Sequence, residues 1–278
     1  MGAAVGQCLV TVGHEVLWVP QGRSPATVTR AGAAGLTGAA DLADVVRRAD
    51  VIVSVVPPHG ALEVAREVAG AGFGGLYVDA NAVSPATVRE VAGIVADGGA
   101  DCVDGGIIGT PPVKPGFIRL YLSGPRAGEV RQLFDDTPVD VRVVDHDGLG
   151  GAGTGVVGSA SAVKMAYASW TKGSAALLLA ARTLARAQGV EDVLLAEWGL
   201  SQPGLGERSV RAAGSAAGKG WRWVAEMEEI AAAMGAGGLP EGFHLAAAEI
   251  YRRAPHDAEA GLDAVLDALS AEKAVPER

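Results

Sequence analysis

Short apolar blocks and amphipathic blocks take turns over the first 145 residues of the chain. The apolar blocks are runs of Val and Ile without internal alternation, which is typical of strands buried on both faces. The predicted strands are residues 16–19, 50–56, 75–79, 101–104, 118–123 and 141–144, and the predicted helices are residues 25–34, 39–48, 60–69 and 84–96. Ser84 and Pro85 suit the N-cap and first position of the last helix. Strands alternating with helices favour right-handed βαβ units, so the pattern predicts an α/β fold with a doubly wound parallel sheet.

The pattern changes after Gly148. Between Gly158 and Arg278 there is no clear strand pattern, and Ala, Leu, Glu and Arg dominate. Residues 155–188 are predicted to form one long helix that ends at Gly189 and, because it is apolar all round, is buried in the centre of a second domain. Further helices are predicted at 191–200, 206–216, 221–234, 241–253 and 257–272. The expected domains are therefore residues 1–150, with the sheet, and an all-α C-terminal domain of residues 151–278.

Composition narrows the classes of partner. The formal net charge of −9 argues against nucleic-acid binding, which requires clustered Lys and Arg. Two cysteines are too few for a disulfide framework, and no basic leader precedes the first apolar segment, so a cytoplasmic protein is expected. Lys164 and Lys172 interrupt the longest uncharged stretches, so no membrane partner is expected. No metal site is expected either.

The beginning of the chain and the turn after the first predicted strand are candidates for dinucleotide binding. Met1 to Gly6 form a Gly-rich helix start, where free N–H groups can bind a diphosphate, although a plain helix start has the same composition. Arg23 and Ser24 follow the strand at residues 16–19, where an acid would hold the ribose 2′-hydroxyl of NAD and an Arg accommodates the 2′-phosphate of NADP. No acid occurs between residues 16 and 40, which favours NADP(H). The alternative is an exposed loop arginine.

Lys164 is the only formal charge between Asp147 and Lys172. A lone ammonium group in a helix of small apolar residues is paired, extends to water at a domain boundary, or has a function. A lysine in apolar surroundings can lose its proton near neutral pH, which suits general acid/base catalysis. Asp79-Ala80-Asn81 and Asp104-Gly105-Gly106 follow predicted strands at their carboxyl ends, where open α/β sheets bind ligands. Ordinary turn chemistry is the alternative for both segments.

Taken together, residues 1 to about 188 resemble the 6-phosphogluconate dehydrogenase and β-hydroxyacid dehydrogenase superfamily. Met1-Gly2 is similar to the end of its G-x-G-x-M-G fingerprint, and residues 22–24 are similar to the N-R-T/S turn of its NADP-using members. Residues 104–109 fall where the family has its substrate-binding V-S-G-G segment, with Ile108 in place of the serine. Residues 155–165 resemble the interdomain helix that bears the catalytic lysine, and Ala168 stands in place of the family asparagine. Residues 190–278 resemble the helical tail of some phosphogluconate-dehydrogenase-like proteins.

The resemblance implies an NADP-binding Rossmann-like domain followed by a helical domain, and it implies roles for individual residues. Lys164 would be catalytic. The implied cofactor-binding residues are Gly2, Ala3, Arg23, Ser24, Val56, Pro57 and Asn81, and the implied substrate-binding residues are Asn81, Ile108, Gly109, Tyr167, Glu226 and Glu229.

The retained lysine favours oxidation of an alcohol, because a base must accept the hydroxyl proton while hydride leaves carbon. The expected activity is therefore hydride transfer between NADP(H) and a small hydroxy acid or a related alcohol or carbonyl compound. An imine reductase is the first alternative, although such enzymes usually carry another residue at the lysine position. A non-catalytic NADP-binding protein is the second.

The segment from Trp221 to Glu229 contains two tryptophans and places Glu226 and Glu229 one helical turn apart. In the family the helical domain forms the dimer interface and the partner contributes to the active site. The resemblance therefore implies a homodimer through the helical domain, with one of these acids near the substrate. A solvated acidic face over a core anchored by tryptophan is the alternative reading.

The resemblance also places Met1 inside the fingerprint, so the strand that precedes this position in the family is expected to be absent. In a sheet of order 3-2-1-4-5-6 that strand lies between the strands at residues 16–19 and 50–56. We therefore expect a gap in the sheet beside residues 50–56, or the two strands collapsed onto one another.

Overall fold

The computed structural model describes residues 1–111, 116–145, 148–149 and 156–271. Its Cα positions divide into two compact units, Met1–Met165 and Ala166–Arg278. The strands of the first unit are β1 (Leu17–Trp18), β2 (Thr37–Gly38), β3 (Val51–Ser54), β4 (Leu76–Asp79), β5 (Asp101–Gly109), β6 (Ile118–Ser123), β7 (Asp140–Asp145) and β8 (Gly148–Leu149). Its helices are α1 (Gly2–Thr11), α2 (Pro25–Ala33), α3 (Leu42–Arg48), α4 (Ala61–Gly70), α5 (Pro85–Asp97) and α6 (Ala127–Leu133). The next helix, α7 (Ser159–Ala187), begins in the first unit and continues into the second.

The larger sheet has the order β3-β4-β5-β6-β7-β8 and is covered on both faces. Successive residues of β4 show this: Leu76 and Val78 belong to a core with residues of α1 and α6, whereas Tyr77 belongs to a second core with residues of α4 and α5. All four residues of β4 are buried. Leu76, Tyr77 and Val78 form the apolar run that predicted this strand, because a strand buried on both faces is mostly apolar. The α/β, Rossmann-like fold class followed by a helical region is therefore confirmed.

The sheet is mixed, which corrects the prediction of a parallel one. β3, β4 and β5 are parallel, but β6 runs antiparallel to the outer half of β5, with Asp104 opposite Ser123 and Gly109 opposite Ile118. Only residues 110–117 lie between β5 and β6, which is too short for a crossover helix but long enough for a hairpin. β5 is accordingly longer than predicted, since it continues past Asp104 to Gly109 in order to pair with β6.

A gap beside β3 separates the two sheets of the first unit, as predicted. β1 and β2 pair with each other in parallel and form a sheet of their own, while β3 is the edge strand of the larger sheet. α1 packs over both edges. A Cβ atom added to Gly6 would lie 3.3 Å from Val16 Cγ1, just before β1, and one added to Gly2 would lie 3.8 Å from Val55 Cβ, just after β3.

The helix starts follow local capping chemistry. Ser84 caps α5 by accepting a hydrogen bond from Thr87 N at 3.2 Å, and Pro85 is the first helical residue, as predicted. Ser24 caps α2 in the same way, and Asp41 caps α3. These caps satisfy backbone N–H groups that have no partner inside the helix.

The second unit is helical throughout its described residues. Besides most of α7 it contains α8 (Glu191–Ser201), α9 (Leu205–Ala236), α10 (Gly242–Arg253) and α11 (Leu262–Ser270). The two helices predicted at 206–216 and 221–234 are one helix, α9. The helix continues through Gly218 and Gly220, since a glycine weakens a helix by only about 1 kcal/mol. Gly220 has a packing reason, because a Cβ there would lie 3.3 Å from Tyr251 Cδ1 on α10.

The prediction that the long helix is buried all round is wrong for α7. Trp170, Leu177 and Leu184 are 68%, 55% and 63% exposed. They recur every seven residues and so lie along one side of the helix, while Leu178 and Leu179 are buried. The helix therefore has one apolar side in the core and another at the surface. No helix in the described part of the chain is both long and apolar enough to cross a bilayer.

Candidate functional site

A buried polar network joins the carboxyl ends of β3 and β4. Asn81 donates from Nδ2 to Ser54 Oγ at 3.0 Å and to Asp79 Oδ2 at 2.8 Å, and its backbone N–H donates to Asp79 Oδ1 at 3.1 Å. All three residues are buried. Asn81 Oδ1 in turn accepts a hydrogen bond from Val56 N at 2.6 Å, so the segment after β3 is tied to the segment after β4. Parallel strands bring these ends to one edge of the sheet, which is where ligands of this fold class bind.

The start of α1 lies at the same edge. Gly2 packs against Val55, since a Cβ added at Gly2 would lie 3.8 Å from Val55 Cβ. Val56 and Pro57 are the next two residues of the chain after Val55. The first amides of an α-helix have no acceptor inside the helix and carry the positive end of its dipole. Gly2 and Ala3, in the first turn of α1, present such amides without a bulky side chain. The structure thus brings Gly2, Val56 and Asn81 together.

Arg23 and Ser24 stand in the turn between β1 and α2, on the smaller sheet. Ser24 Oγ accepts a hydrogen bond from Thr27 N at 3.3 Å and lies 3.1 Å from Thr27 Oγ1. Arg23 and Ser24 are both exposed, and Gly22 makes the turn possible with a φ of 73°. An exposed guanidinium beside a helix N-terminus is a suitable arrangement for a phosphate group.

Two adjacent glycines of β5 place Lys164 next to this edge. Gly105 packs against the end of β4, where an added Cβ would lie 3.0 Å from Asp79 O and 3.3 Å from Ala80 Cβ. Gly106 packs against α7, where an added Cβ would lie 2.7 Å from Ala160 O and 3.2 Å from Lys164 Cβ. Lys164 is partly buried. The lysine therefore lies beside the part of β5 that extends just beyond the last residue of β4.

The remaining predicted residues differ in their surroundings. Ile108 is buried on β5, and Gly109 has a φ of 123° and is so close to Phe117 O that a Cβ would overlap it. Gly109 therefore has a structural reason to be glycine, whatever its role in binding. Residues 104–109 belong to a strand and not to a loop. Tyr167 lies on α7 and is 47% exposed.

Glu226 and Glu229 lie on α9 in the helical unit. Glu226 is buried and forms an ion pair with Lys172, whose ammonium group is 5.2 Å from the centre of the Trp223 ring. Trp223 makes an edge-to-face contact with Tyr251, with ring centres 5.0 Å apart. Glu226 thus takes part in a packed charged and aromatic cluster, whereas Glu229 is only partly buried. A role for either acid at the substrate stays a prediction.

A second buried network, centred on Asp104, was not predicted from the sequence as a unit. Its members are Asp104 on β5, Ser123 on β6 and Ser161 on α7. The sequence places Asp104 at the end of a predicted strand. It does not predict that Ser123 or Ser161 contacts Asp104, because both serines are far from it in the chain.

The buried carboxyl groups of Asp79 and Asp104 lie close to Cys102 and affect its thiol. Burial, followed by the charges of Asp79 and Asp104, raises the pKa of Cys102 to about 12. Burial also raises the pKa of Tyr77, with a further contribution from Asp79. The Cys102 thiol is consequently protonated at neutral pH, which excludes it as a thiolate nucleophile.

Comparison with known proteins agrees with this geometry. Residues 1–127 are similar to the NAD binding domain of 6-phosphogluconate dehydrogenase, and residues 185–254 are similar to a domain of unknown function, DUF1932. The first similarity supports a nicotinamide cofactor for the sheet-containing part of the chain.

Individual relatives are similar in sequence or fold. An uncharacterised 28.5 kDa protein of Methanothermus fervidus is 32% identical over 181 residues, which are 65% of this chain. The match spans 66% of that protein, slightly less than two thirds of its length. A conserved protein of unknown function, described as structurally similar to 3-hydroxyacid dehydrogenases, is 29% identical with a TM-score of 0.63, and the match covers 97% of this chain and 95% of that one. A 3-hydroxyisobutyrate dehydrogenase of Mycobacterium tuberculosis, determined with L-serine, shares the fold at 20% identity, with a TM-score of 0.65 and coverage of 98% and 96%.

Proposed function

We propose that this protein is an NADP(H)-dependent oxidoreductase that transfers hydride between nicotinamide and a small hydroxy acid or the corresponding carbonyl compound, with Lys164 as the general acid/base. One observation carries the proposal. Gly106 has no side chain, and this lets α7 approach β5 so closely that Lys164 lies at the ligand-binding edge of the sheet. Hydroxyl oxidation requires a proton acceptor, and a lysine beside the ligand-binding edge of the sheet can provide one.

The residues at the edge fit a dinucleotide. The amides of Gly2 and Ala3 at the start of α1 would hold the diphosphate, because their dipoles point toward an incoming anion. The segment of Val56 and Pro57, fixed by the hydrogen bond from Val56 N to Asn81 Oδ1, would line the cofactor. Arg23 and Ser24, in an exposed turn that has no acid, would hold a 2′-phosphate and so favour NADP(H) over NAD(H).

When bound, the nicotinamide ring would accept or donate the hydride. The protein would accept or donate the proton. As hydride leaves the substrate carbon, Lys164 Nζ accepts the proton of the substrate hydroxyl, and in the reverse direction it protonates the carbonyl oxygen as the C–H bond forms. Asn81 and the segment of Ile108 and Gly109 would position the substrate, and Tyr167 would cover it. Ile108 is buried and has no hydroxyl group where the family has a serine, so it could contribute to substrate binding only through apolar contact.

The proposal can be tested by a substrate panel. NADPH oxidation is followed with β-keto acids, aldehydes and cyclic imines, and NADP reduction with the matching hydroxy acids and alcohols. Turnover of the oxo and hydroxy compounds supports the proposal. Turnover of cyclic imines alone would instead make the protein an imine reductase, and tight NADPH binding without any turnover would make it a binding protein.

We also propose that the protein acts as a homodimer through its helical domain. Trp170, Leu177 and Leu184 form an exposed apolar stripe on α7. Large apolar side chains at seven-residue spacing are the pattern along which two helices pack. Phe243 of α10 is also exposed and lines an apolar cavity of about 330 Å³ together with Leu177. Such a surface is costly to leave in water. In this dimer Glu226 or Glu229 would lie near the substrate.

A further inference from the structure

Asp104 accepts four hydrogen bonds, three from the beginning of α7 and one from β6. Its Oδ2 accepts from Ser123 Oγ at 2.8 Å, from Gly158 N at 2.9 Å and from Ser161 N at 3.0 Å, and its Oδ1 accepts from Ser161 Oγ at 2.6 Å. Ser123 Oγ itself accepts from Ala160 N at 3.0 Å. The carboxyl group therefore joins β5, β6 and the beginning of α7.

This carboxyl group is fully enclosed. The exposed fraction of Asp104 is 0%, and those of Ser123 and Ser161 are 0% and 1%. A buried carboxylate is stable only when its oxygens accept hydrogen bonds, and here two of the donors are backbone amides that have no partner inside the helix. The positive end of the α7 dipole adds a favourable interaction with the negative charge. The position of the first turn is therefore fixed with little freedom.

Lys164 lies one helical turn beyond the residues that bind Asp104. It follows Ser161 by three residues, so the two side chains lie on neighbouring turns of the same helix face. Gly106 follows Asp104 by two residues on β5 and accommodates Ala160 and Lys164 at close range. The same short segment of β5 thus anchors the start of α7 through Asp104 and receives its lysine through Gly106.

We propose that Asp104 is a positioning residue for Lys164: by clamping residues 158–161 it sets where the ammonium group stands at the edge of the sheet. This inference rests on the proposed acid/base role of Lys164 for its catalytic consequence. Its structural part, that Asp104 controls the surroundings of Lys164, does not depend on any substrate.

Two substitutions separate the clamp from the charge. In Asp104→Asn the remaining oxygen can accept the three bonds made to Oδ2, and the new amide can donate to Ser161 Oγ, which then acts as acceptor. Asp104→Asn therefore keeps the geometry and loses the charge. Asp104→Ala loses both. Ser161→Ala removes only the bond to Oδ1 and serves as a milder variant if Asp104→Ala does not fold.

The kinetic measurement is kcat for each protein, expressed per mole of NADPH-binding site found by titration. A merely structural role would reduce the number of such sites and leave kcat per site unchanged. We expect Asp104→Ala to lower kcat per site by about tenfold to a hundredfold, as displacement of a catalytic group by about 1 Å does, while KM for NADPH changes less than about twofold. Asp104→Asn should recover most of the rate, and Ser161→Ala should be intermediate.

A second measurement requires no turnover. Reductive methylation with ¹³C-formaldehyde labels the lysines, and the Lys164 signal is identified by its loss in Lys164→Arg. In Asp104→Ala we expect this signal to move toward that of the exposed Lys219, and in Asp104→Asn to stay closer to its original position.

The two measurements distinguish the two proposals. A Lys164 signal that is the same in all the proteins overturns the positioning role. So does a kcat per site that is unchanged in Asp104→Ala, or equally reduced in Asp104→Ala and Asp104→Asn. If no substrate is turned over but the Lys164 signal moves as expected, the positioning role stands and the proposed acid/base chemistry is what fails.

Discussion

At the scale of single residues, cofactor choice depends on Arg23. A guanidinium that binds a phosphate contributes on the order of 1.5–3 kcal/mol, which corresponds to roughly tenfold to a hundredfold in affinity. We therefore expect NADPH to bind more tightly than NADH by about that factor, and Arg23→Ala to lose most of the difference while its affinity for NADH stays the same. Fluorescence titration of both cofactors measures this. Arg47→Ala, at an equally exposed arginine of α3, is the control and should keep the preference. Equal affinity of the unaltered protein for NADPH and NADH would contradict the assignment.

The sequence reveals a candidate site residue when the neighbouring residues in the chain mark it. Lys164 is marked because it is the only charged residue between Asp147 and Lys172, and Asn81 because it follows a predicted strand. Asp104 could be recognised only as a strand end. Its partners Ser161 and Ser123 lie 57 and 19 positions away, and their hydroxyl groups gain a role only when β5, β6 and α7 meet.

At the scale of elements, the contact between β5 and α7 depends on the missing side chain of Gly106. A methyl group there would lie 2.7 Å from Ala160 O, so Gly106→Ala must push α7 away from the strand. Overpacking of this kind costs about 1–3 kcal/mol. We expect a lower melting temperature. Because Lys164 is displaced, we also expect kcat per binding site to fall by at least about tenfold.

The control for this substitution is Gly93→Ala on α5. A Cβ at Gly93 meets no heavy atom within 4 Å, and alanine favours a helix by about 1 kcal/mol over glycine, so this variant should be as stable as the original or more so, with full activity. An active Gly106→Ala protein with an unchanged melting temperature would show that α7 does not depend on this close approach.

The elements themselves could be predicted where one physical signal dominated. β3 and β4 begin with three consecutive residues that are apolar or aromatic, and α5 has a capping serine followed by proline. The antiparallel direction of β6 could not be read from its apolar residues, because strand direction is decided by the connection and not by the strand. The continuity of α9 across residues 217–220 depends on tertiary packing, because Gly220 lets Tyr251 of α10 approach closely.

At the scale of the whole molecule, the exposed stripe of α7 predicts self-association. Sedimentation velocity at micromolar concentration should give the mass of two chains. Leu177→Glu introduces a charge in the middle of the stripe and should shift the protein to a single chain, because a charge is costly to bury at an apolar contact. Val193→Glu on α8, which changes a more exposed apolar residue outside the stripe, should remain a dimer. A monomer at these concentrations in the unaltered protein would refute the dimer.

The separation of the strands into two sheets was also predictable, because the likeness of Met1-Gly2 to the end of the family fingerprint indicated a gap beside β3. The change in composition after Gly148 predicts a sheet-containing part followed by a helical part, whereas the two compact units divide after Met165. The exposed side of α7 was not predictable from its composition. An apolar helix surface looks the same in the sequence whether its own chain or a second copy covers it.

The most direct test of the account is the rate of hydride transfer in Lys164→Ala, measured as NADPH oxidation with the best substrate of the panel. We predict that kcat falls by roughly 10²–10⁴, as loss of a general acid/base implies, while the dissociation constant for NADPH and the melting temperature stay close to the original values. Lys219→Ala, at an exposed lysine of α9, should react at the original rate. A Lys164→Ala protein that turns over substrate as fast as the original would contradict the central claim.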